Sequence, residues 1–186
     1  MSVRVHVIRS KSKGVPILKK SNPRRLRLIL MILVVVWMAL IFAFSAQPAS
    51  DSSRTSGNTV RAVAGVVDPG FKQKPVSVQD KIVSEYQHLA RKSAHSILYF
   101  VLGGLAASAL GTYEMNPWAR IAAAEGIAAL YAVSDEFHQR FIGGRSAQVS
   151  DVLLDSAAAL LGVLIVAGFL ALRRRRRRRR EYAGHG

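Results

Sequence analysis

The side chains best suited to chemistry are concentrated in one short connection, SDEFHQRFIGGRSAQVSD at residues 134–151. Asp135, Glu136 and Asp151 are acidic, and a further carboxylate, Asp155, lies four residues after Asp151. Arg145 follows the flexible pair Gly143-Gly144. Carboxylate, amide and guanidinium groups that meet at one place could bind a charged or sugar-bearing ligand, or transfer a proton. Whether they meet depends on the elements that hold them.

Four apolar segments surround these polar groups, at residues 28–44, 95–111, 118–134 and 152–172. The first has no charged residue and covers about 26 Å as a helix, enough to cross a bilayer with its flanks. The two middle segments are rich in Gly, Ala and Ser, which suit close helix packing in lipid. The sequence therefore predicts an all-α integral membrane bundle of four transmembrane helices.

A cleaved signal peptide is the alternative interpretation of the first segment, because SAQ at 45–47 resembles a small-residue cleavage site. The basic leader is longer than is usual for a signal peptide, and so is the apolar run. An uncleaved helix is therefore favoured.

Charge is concentrated at the two ends of a chain whose formal net charge is +16. Nine Lys and Arg residues precede the first apolar segment, in the basic tail 1–27, and eight arginines, Arg173 to Arg180, follow the last one, in the tail 173–186. Basic residues that flank a membrane span usually stay in the cytoplasm. Because an even number of spans returns the chain to the same side, both termini are predicted to be cytoplasmic. The arginines are interpreted as an anchor near anionic lipid; nucleic-acid binding is the alternative, disfavoured because no aromatic residues are interleaved.

The absence of cysteine excludes disulfides, thiolate catalysis and Cys-based metal sites.

The outer loop 45–93 is predicted to be partly helical. SVQD at 77–80 has the pattern of a capping box and predicts a helix over 78–110, whereas PASDSSRTSGN at 48–58 is interpreted as a polar linker and DPG at 68–70 as a turn.

Polar residues mark the outer end of every predicted span, so the four helix ends are expected to form one polar site. Because a charge at membrane depth costs about 2.5–3.5 kcal/mol, such groups normally turn inward and pair. We therefore expect Arg91, Lys92 and Arg145 to neutralise the carboxylates. A metal centre built from His95, Asp135, His138 and Asp151 is an alternative, but no paired metal-binding motif is present, so no metal or cofactor is predicted.

Several of these motifs together resemble the VanZ-like family of small bacterial membrane proteins. They are FSAQ after the first span, RKSAH with Tyr99, DEFHQRFIGGR, the D-x-x-x-D of 151–155, and Gly162. The resemblance covers residues 28–172 and implies a four-helix protein of the bacterial cytoplasmic membrane. In that family an acidic residue often precedes the tyrosine, where this chain has Leu98. The resemblance implies that the following residues of this chain, which match the family's motif positions, form the site: Ser45, Gln47, Arg91, Lys92, His95, Tyr99, Asp135, Glu136, Gln139, Arg145, Asp151 and Asp155.

The family takes its name from a member linked to resistance to teicoplanin, a lipoglycopeptide. The resemblance implies a role in the cell envelope, with an outer polar patch that engages a lipidated or cell-wall ligand. An intramembrane lipid-modifying enzyme that uses His95 with a carboxylate is the second hypothesis, and a structural subunit of an envelope complex is the third. The expected partners are membrane lipids and an amphiphilic ligand, without nucleic acid.

Overall fold

A computed structural model describes residues 22–145 and 147–183 of the chain. Within these ranges the fold is all α, as predicted, and its elements follow one another with short connections. The helices are α1 (Pro23–Ser45), α2 (Ala49–Val67), α3 (Val76–Leu110), α4 (Pro117–Gln139) and α5 (Val149–Ala183), with a 3-10 turn at Phe71–Gln73. Most of the predicted basic N-terminal tail, residues 1–21, lies outside the described residues, as do 184–186.

Two helices begin with the same local signal, an asparagine followed by proline. The Asn22 side chain accepts a hydrogen bond from the Arg24 N–H at 3.1 Å, and the Asn116 side chain accepts one from the Trp118 N–H at 2.9 Å. Proline is well suited to the first helical position because its missing N–H would have no partner there. Both starts are therefore encoded locally.

Three helices, α1, α3 and α5, are long and apolar enough to cross a membrane. The fourth predicted span, 118–134, is helical and lies in α4, but α4 is not among them. Its hydropathy is reduced because Arg120 and Glu125 lie within an alanine-rich stretch and Asp135 and Glu136 end it.

Helices α3 and α5 approach so closely that two glycines touch the backbone of the opposite helix. A methyl group on Gly103 would overlap the Ala159 carbonyl, and one on Gly162 would overlap the Phe100 carbonyl. Small residues allow this close approach. The van der Waals contacts that result stabilise helix association in lipid, where helices have no hydrophobic driving force. We call this contact the α3–α5 seam.

Helix α1 is attached to the bundle by two side-chain bonds to backbone carbonyls. The Trp37 Nε1–H donates to the Leu98 carbonyl at 2.9 Å, and the Tyr131 hydroxyl donates to the Met38 carbonyl at 2.6 Å. These bonds link α1 to α3 and to α4, and Ile41 is fully buried between them. The last turn of α1, which carries Ser45, is therefore held in a fixed position.

The segment interpreted as a polar linker is helical, so that expectation was wrong. Helix α2 packs against α3 and buries Ser52, Ser56, Gly57 and Val60. The Ser56 hydroxyl donates to the Ser52 carbonyl at 2.9 Å, which satisfies it inside the helix. Small polar side chains resemble a linker in composition, yet they allow two helices to pack closely.

The start of α3 also differs from the capping-box prediction. The helix begins at Val76 directly after Pro75, so Ser77 lies in the first turn and makes no cap. Asp80 instead pairs with Arg61 of α2. The DPG turn is confirmed: the Asp68 side chain accepts from the Gly70 N–H at 3.0 Å.

The beginning of α1 and the end of α5 lie at the same end of the bundle as the α3–α4 turn. Arg27 donates to the Thr112 carbonyl at 3.1 Å, and its guanidinium lies 3.9 Å from the centre of the Tyr113 ring. Glu114 and Arg174 line one surface pocket beside that turn. The basic flanks are therefore on one side of the fold, opposite the residues considered next.

Candidate functional site

Four helices contribute one polar side chain each to a cluster at the other end of the bundle. The Ser45 hydroxyl, from α1, donates to Asp135 Oδ2 of α4 at 2.8 Å and lies 3.4 Å from His95 Nε2 of α3. On the opposite side of the ring, His95 Nδ1 is 3.6 Å from Asp155 Oδ2 of α5 and 3.9 Å from Asp135 Oδ2. We call these four residues the histidine cluster.

The histidine cluster is almost closed to solvent. Ser45 is fully buried, and Asp135 and Asp155 are 4% and 6% exposed. Further donors surround the carboxylates: the Gln139 amide lies 3.4 Å from Asp135 Oδ2, and the Ser96 hydroxyl lies 3.4 Å from Asp155 Oδ1. A buried carboxylate requires such partners, because an unpaired charge in an apolar interior is strongly unfavourable.

Tyr99 lies one helical turn below His95 on α3. It is fully buried, and its ring stacks against the imidazole with 6.3 Å between centroids. The four-residue spacing of Arg91, His95 and Tyr99 therefore places them on one face of α3, as the sequence predicts.

A second polar layer lies nearer the end of the bundle. The Lys92 ammonium is 2.5 Å from Asp151 Oδ1, and its other bond goes to the Gln148 side chain at 3.3 Å. Glu136 accepts a hydrogen bond from the Gln148 backbone N–H at 2.5 Å. This layer ties the connection 140–148 to α3, α4 and α5.

The two layers enclose a polar cavity of about 90 Å³ between α3, α4 and α5. A buried water needs about 10–15 Å³ on this measure, so the cavity has room for a small polar group with a few waters. Its lining is composed mainly of charged and amide side chains. These are His88, Arg91, Lys92, His95, Glu136, Gln139, Arg145, Gln148, Asp151 and Asp155, with Gly144 and Leu154.

A larger, mainly apolar groove of about 330 Å³ lies on the other side of α3, against α2 and the end of α1. Ala94, Ile97 and Leu98 of α3 form one wall, and Phe44 closes one end. Arg91, His95 and Arg145 line the groove as well as the polar cavity. The two spaces therefore share a wall of two guanidinium groups and one imidazole.

The connection that carries Arg145 is positioned by contacts with the start of α2. The Ala49 N–H donates to the Gly143 carbonyl at 3.2 Å. Gly144 adopts a left-handed φ of 75°, and a methyl group there would lie 3.0 Å from the Ala49 side chain. Both features favour glycine at this turn.

The electrostatic surroundings of Arg145 differ from those of Lys92. Burial lowers the pKa of Arg145, and the neighbouring positive charge of Arg91 lowers it further, whereas Asp135 and Glu136 act in the opposite direction. Its Nε atom is buried without a hydrogen-bond partner among the residues that the structure describes. Lys92, by contrast, has a carboxylate partner.

The expected charge pairing is therefore only partly present. Lys92 neutralises Asp151, but within the described ranges neither Arg91 nor Arg145 forms an ion pair with a carboxylate. The expectation that these arginines neutralise Asp135, Glu136 and Asp155 was wrong, because hydroxyl, amide and imidazole groups reach those carboxylates first. The arginines instead point toward space shared by the cavity and the groove.

The structure brings together eleven of the twelve residues singled out from the sequence: ten lie in the histidine cluster, the second layer and the cavity wall, and Tyr99 stacks against His95. Gln47 is the exception, since it lines only the groove. The sequence did not identify three further residues at the site, which are Gln148, Ser96 and His88. His88 lies on the same helical face as Arg91, Lys92 and His95, at spacings of three, four and seven residues, and this pattern could have identified it.

The alternative metal centre is not assembled. His138 stacks on Phe42 with 4.5 Å between ring centroids, away from His95. In the part of the chain that the structure describes, no three His, Asp or Glu side chains are placed to hold a metal ion.

Comparisons with known proteins give one family match. No curated protein and no solved structure matches the chain significantly. The model of one family, VanZ/LLP1, matches residues 30–171, a range that includes all four residues of the histidine cluster and both arginines of the shared wall. The chain therefore belongs to the VanZ/LLP1 family.

Proposed function

We propose that this protein is a four-span protein of the bacterial cytoplasmic membrane that binds an amphiphile of the cell envelope. The observation that carries the proposal is the shared wall of Arg91, His95 and Arg145 between a polar cavity and an apolar groove. A ligand with a polar head and an apolar chain needs both environments side by side. Binding sites commonly combine an apolar lining with a few convergent polar groups.

The packing of α4 supports its assignment as the fourth span. Ala124 and Ala128 are fully buried, and Arg120 is 4% exposed and donates to the Met115 carbonyl at 3.2 Å. An alanine face of this kind packs closely against other helices in lipid. With four spans, both basic ends lie in the cytoplasm and the histidine cluster faces outward.

The span count can be tested by cysteine labelling, because the chain has no cysteine of its own. Ser84→Cys and Tyr182→Cys introduce single thiols at exposed positions on α3 and α5. We expect a membrane-impermeant maleimide to label the first in intact cells and the second only after permeabilisation. Labelling of both in intact cells would place the end of α5 outside and would contradict four spans.

The amphiphile can be sought first among lipoglycopeptides. We expect expression in a sensitive Gram-positive host to increase tolerance of teicoplanin, which carries an acyl chain, and to leave vancomycin sensitivity unchanged. Gln139→Ala and Arg145→Ala, at matched membrane abundance, should abolish the effect because both residues line the cavity. Arg140→Ala, in the same connection but exposed and outside the cavity, is the control.

Equal responses to the two drugs would contradict recognition of an acyl chain. Loss of tolerance in the Arg140→Ala control would show that the connection, rather than the cavity, is responsible.

A lipid-modifying enzyme is the second candidate, favoured by the position of His95 between the Ser45 hydroxyl and two carboxylates. An imidazole oriented by a carboxylate can act as a general base. This candidate predicts a changed lipid or wall-precursor mass in expressing cells, which His95→Ala abolishes at unchanged protein level. An unchanged mass profile would exclude it in favour of binding alone.

A further inference from the structure

Arg91 and Arg145 stand out because the other charged groups around them have partners. Lys92 lies 2.5 Å from Asp151, and His95 Nδ1 lies 3.6 Å from Asp155. The two guanidinium groups line the same cavity and the same groove, and neither is paired with a carboxylate within the described ranges. Guanidinium groups that form no direct ion pair keep N–H donors for an incoming anion, although the nearby carboxylates Asp135 and Glu136 oppose its negative charge.

The geometry of the guanidinium group indicates which kind of anion. Each arginine presents N–H donors in a rigid fork that matches oxyanions, and phosphate has enough terminal oxygens to accept from two forks at once. The cavity volume of about 90 Å³ suits a headgroup of this size with a few waters, whereas only a small polar part of a glycopeptide could enter it. The headgroup that enters it is therefore small.

The adjoining groove indicates that the phosphate is attached to an apolar chain. Ala94, Ile97 and Leu98 line the groove beside the same two arginines, and Ile97 is 63% exposed, so the groove opens to the side of α3. A soluble phosphate would leave this apolar surface uncovered. A lipid anchored in the outer leaflet could place its head in the cavity and one chain in the groove.

We propose that Arg91 and Arg145 bind the phosphate of a lipid phosphate whose acyl chain occupies the groove between α2 and α3. The proposal rests on the proposed function and specifies its ligand class. It also distinguishes the cations that line the cavity: the two arginines bind the headgroup, whereas Lys92 holds Asp151 in place.

The test compares three ligands on the purified full-length protein in a neutral detergent. They are a monoacylglycerol phosphate, the corresponding monoacylglycerol and glycerol 3-phosphate, which separate the contributions of head and chain. Affinity is measured for the wild type and for Arg91→Gln, Arg145→Gln and Arg145→Lys. Arg140→Gln and Arg61→Gln are controls, since Arg140 is exposed outside the cavity and Arg61 pairs with Asp80.

We expect the wild type to bind the lipid phosphate most tightly. Arg91→Gln and Arg145→Gln should each weaken it by about 10- to 100-fold, the usual effect of removing a charged hydrogen bond. Binding of monoacylglycerol should not change. Arg145→Lys should lose part of the affinity because it keeps the charge without the fork, and unchanged thermal midpoints will show that the variants are folded.

Each contrary outcome has a separate meaning. Equal wild-type affinity for monoacylglycerol and its phosphate, or an equal loss in the controls, would overturn phosphate recognition and leave amphiphile binding intact. Glycerol 3-phosphate binding as tightly as the lipid would overturn the role of the groove. Failure to bind any of the acylated ligands would count against both this inference and the proposed function.

Discussion

The two sides of α3 differ in how closely a neighbouring helix approaches. On one side, Gly103 of α3 and Gly162 of α5 allow backbone contact along the α3–α5 seam. On the other side, α2 leaves a groove of about 330 Å³ beside Ala94 and Leu98. Helix α3 therefore has one tightly packed side and one side that faces a groove. Arg91 and His95 lie between these two sides, because they line both the groove and the polar cavity. The seam positions these residues while the groove leaves them accessible.

The largest expected effect tests the seam. Gly162→Ala would place a methyl group against the Phe100 carbonyl, so the helices must separate. We expect the free energy of unfolding to fall by about 1–3 kcal/mol, the typical cost of overpacking, measured by thermal unfolding in detergent. Gly168→Ala, where nothing lies within 4 Å, is the matched control on α5 and should stabilise the helix by up to about 1 kcal/mol. Equal stability of the two variants would contradict a close seam.

The next effect tests the histidine cluster, which lies where α1, α3, α4 and α5 meet. Ser45→Ala removes the 2.8 Å hydrogen bond to buried Asp135. We expect a loss of about 1–3 kcal/mol in the free energy of unfolding, because the buried carboxylate loses its shortest hydrogen bond and keeps the longer, 3.4 Å contact with Gln139. Ser84→Ala removes an exposed hydroxyl from the same fold and should change stability little. A similar change in both variants would mean that the cluster does not contribute to stability.

A smaller effect tests the edge of the groove. Gly144→Ala forces a side chain into a left-handed conformation and against Ala49, at a cost of about 1–2 kcal/mol. Because the turn positions Arg145, binding of the monoacylglycerol phosphate should weaken as well. Gly143→Ala, where nothing lies within 4 Å, should leave both quantities nearly unchanged. If the two alanine variants behave alike, Gly144 does not position Arg145.

The smallest expected change in stability tests whether the groove is open. Ala94→Phe should alter the free energy of unfolding by no more than about 0.5 kcal/mol, since the added ring enters unoccupied space. It should nevertheless weaken binding of the acylated ligands, measured by titration as for the arginine variants. Val78→Phe, at an exposed position of α3 away from the groove, is the control. A large loss of stability in Ala94→Phe would show that the groove is packed.

Much of the fold could be predicted because it depends on local composition and spacing. The apolar segments locate α1 and α5, the Asn-Pro pairs locate two helix starts, and the four-residue spacing of Arg91, His95 and Tyr99 places them on one face. Helix α2 was missed because Ser52, Ser56 and Gly57 are typical of linkers. They are buried only because α3 lies against them, and this contact is not encoded locally.

Which residues form the site was easier to predict than which of them pair with each other. The Lys92–Asp151 ion pair could be expected from opposite charges at neighbouring helix ends. The partners of Asp135 could not, because Ser45 lies ninety positions earlier and reaches it only after α1 and α4 have packed. Arg145 remained without a carboxylate for the same reason: its environment depends on how the connection 140–148 folds against α2.

The length of α3 has a mechanical consequence. As an unbroken helix of 35 residues it extends about 52 Å, whereas the hydrocarbon core of a bilayer is about 30 Å thick. Where a helix of this length crosses a bilayer, about 20 Å of it extends beyond the hydrocarbon core, and α3 has no break between the two parts. Any tilt of the part inside the bilayer therefore moves the part outside it in proportion to its length. A force applied at the distant tip near Pro75 would in turn be transmitted along the helix to Arg91 and His95.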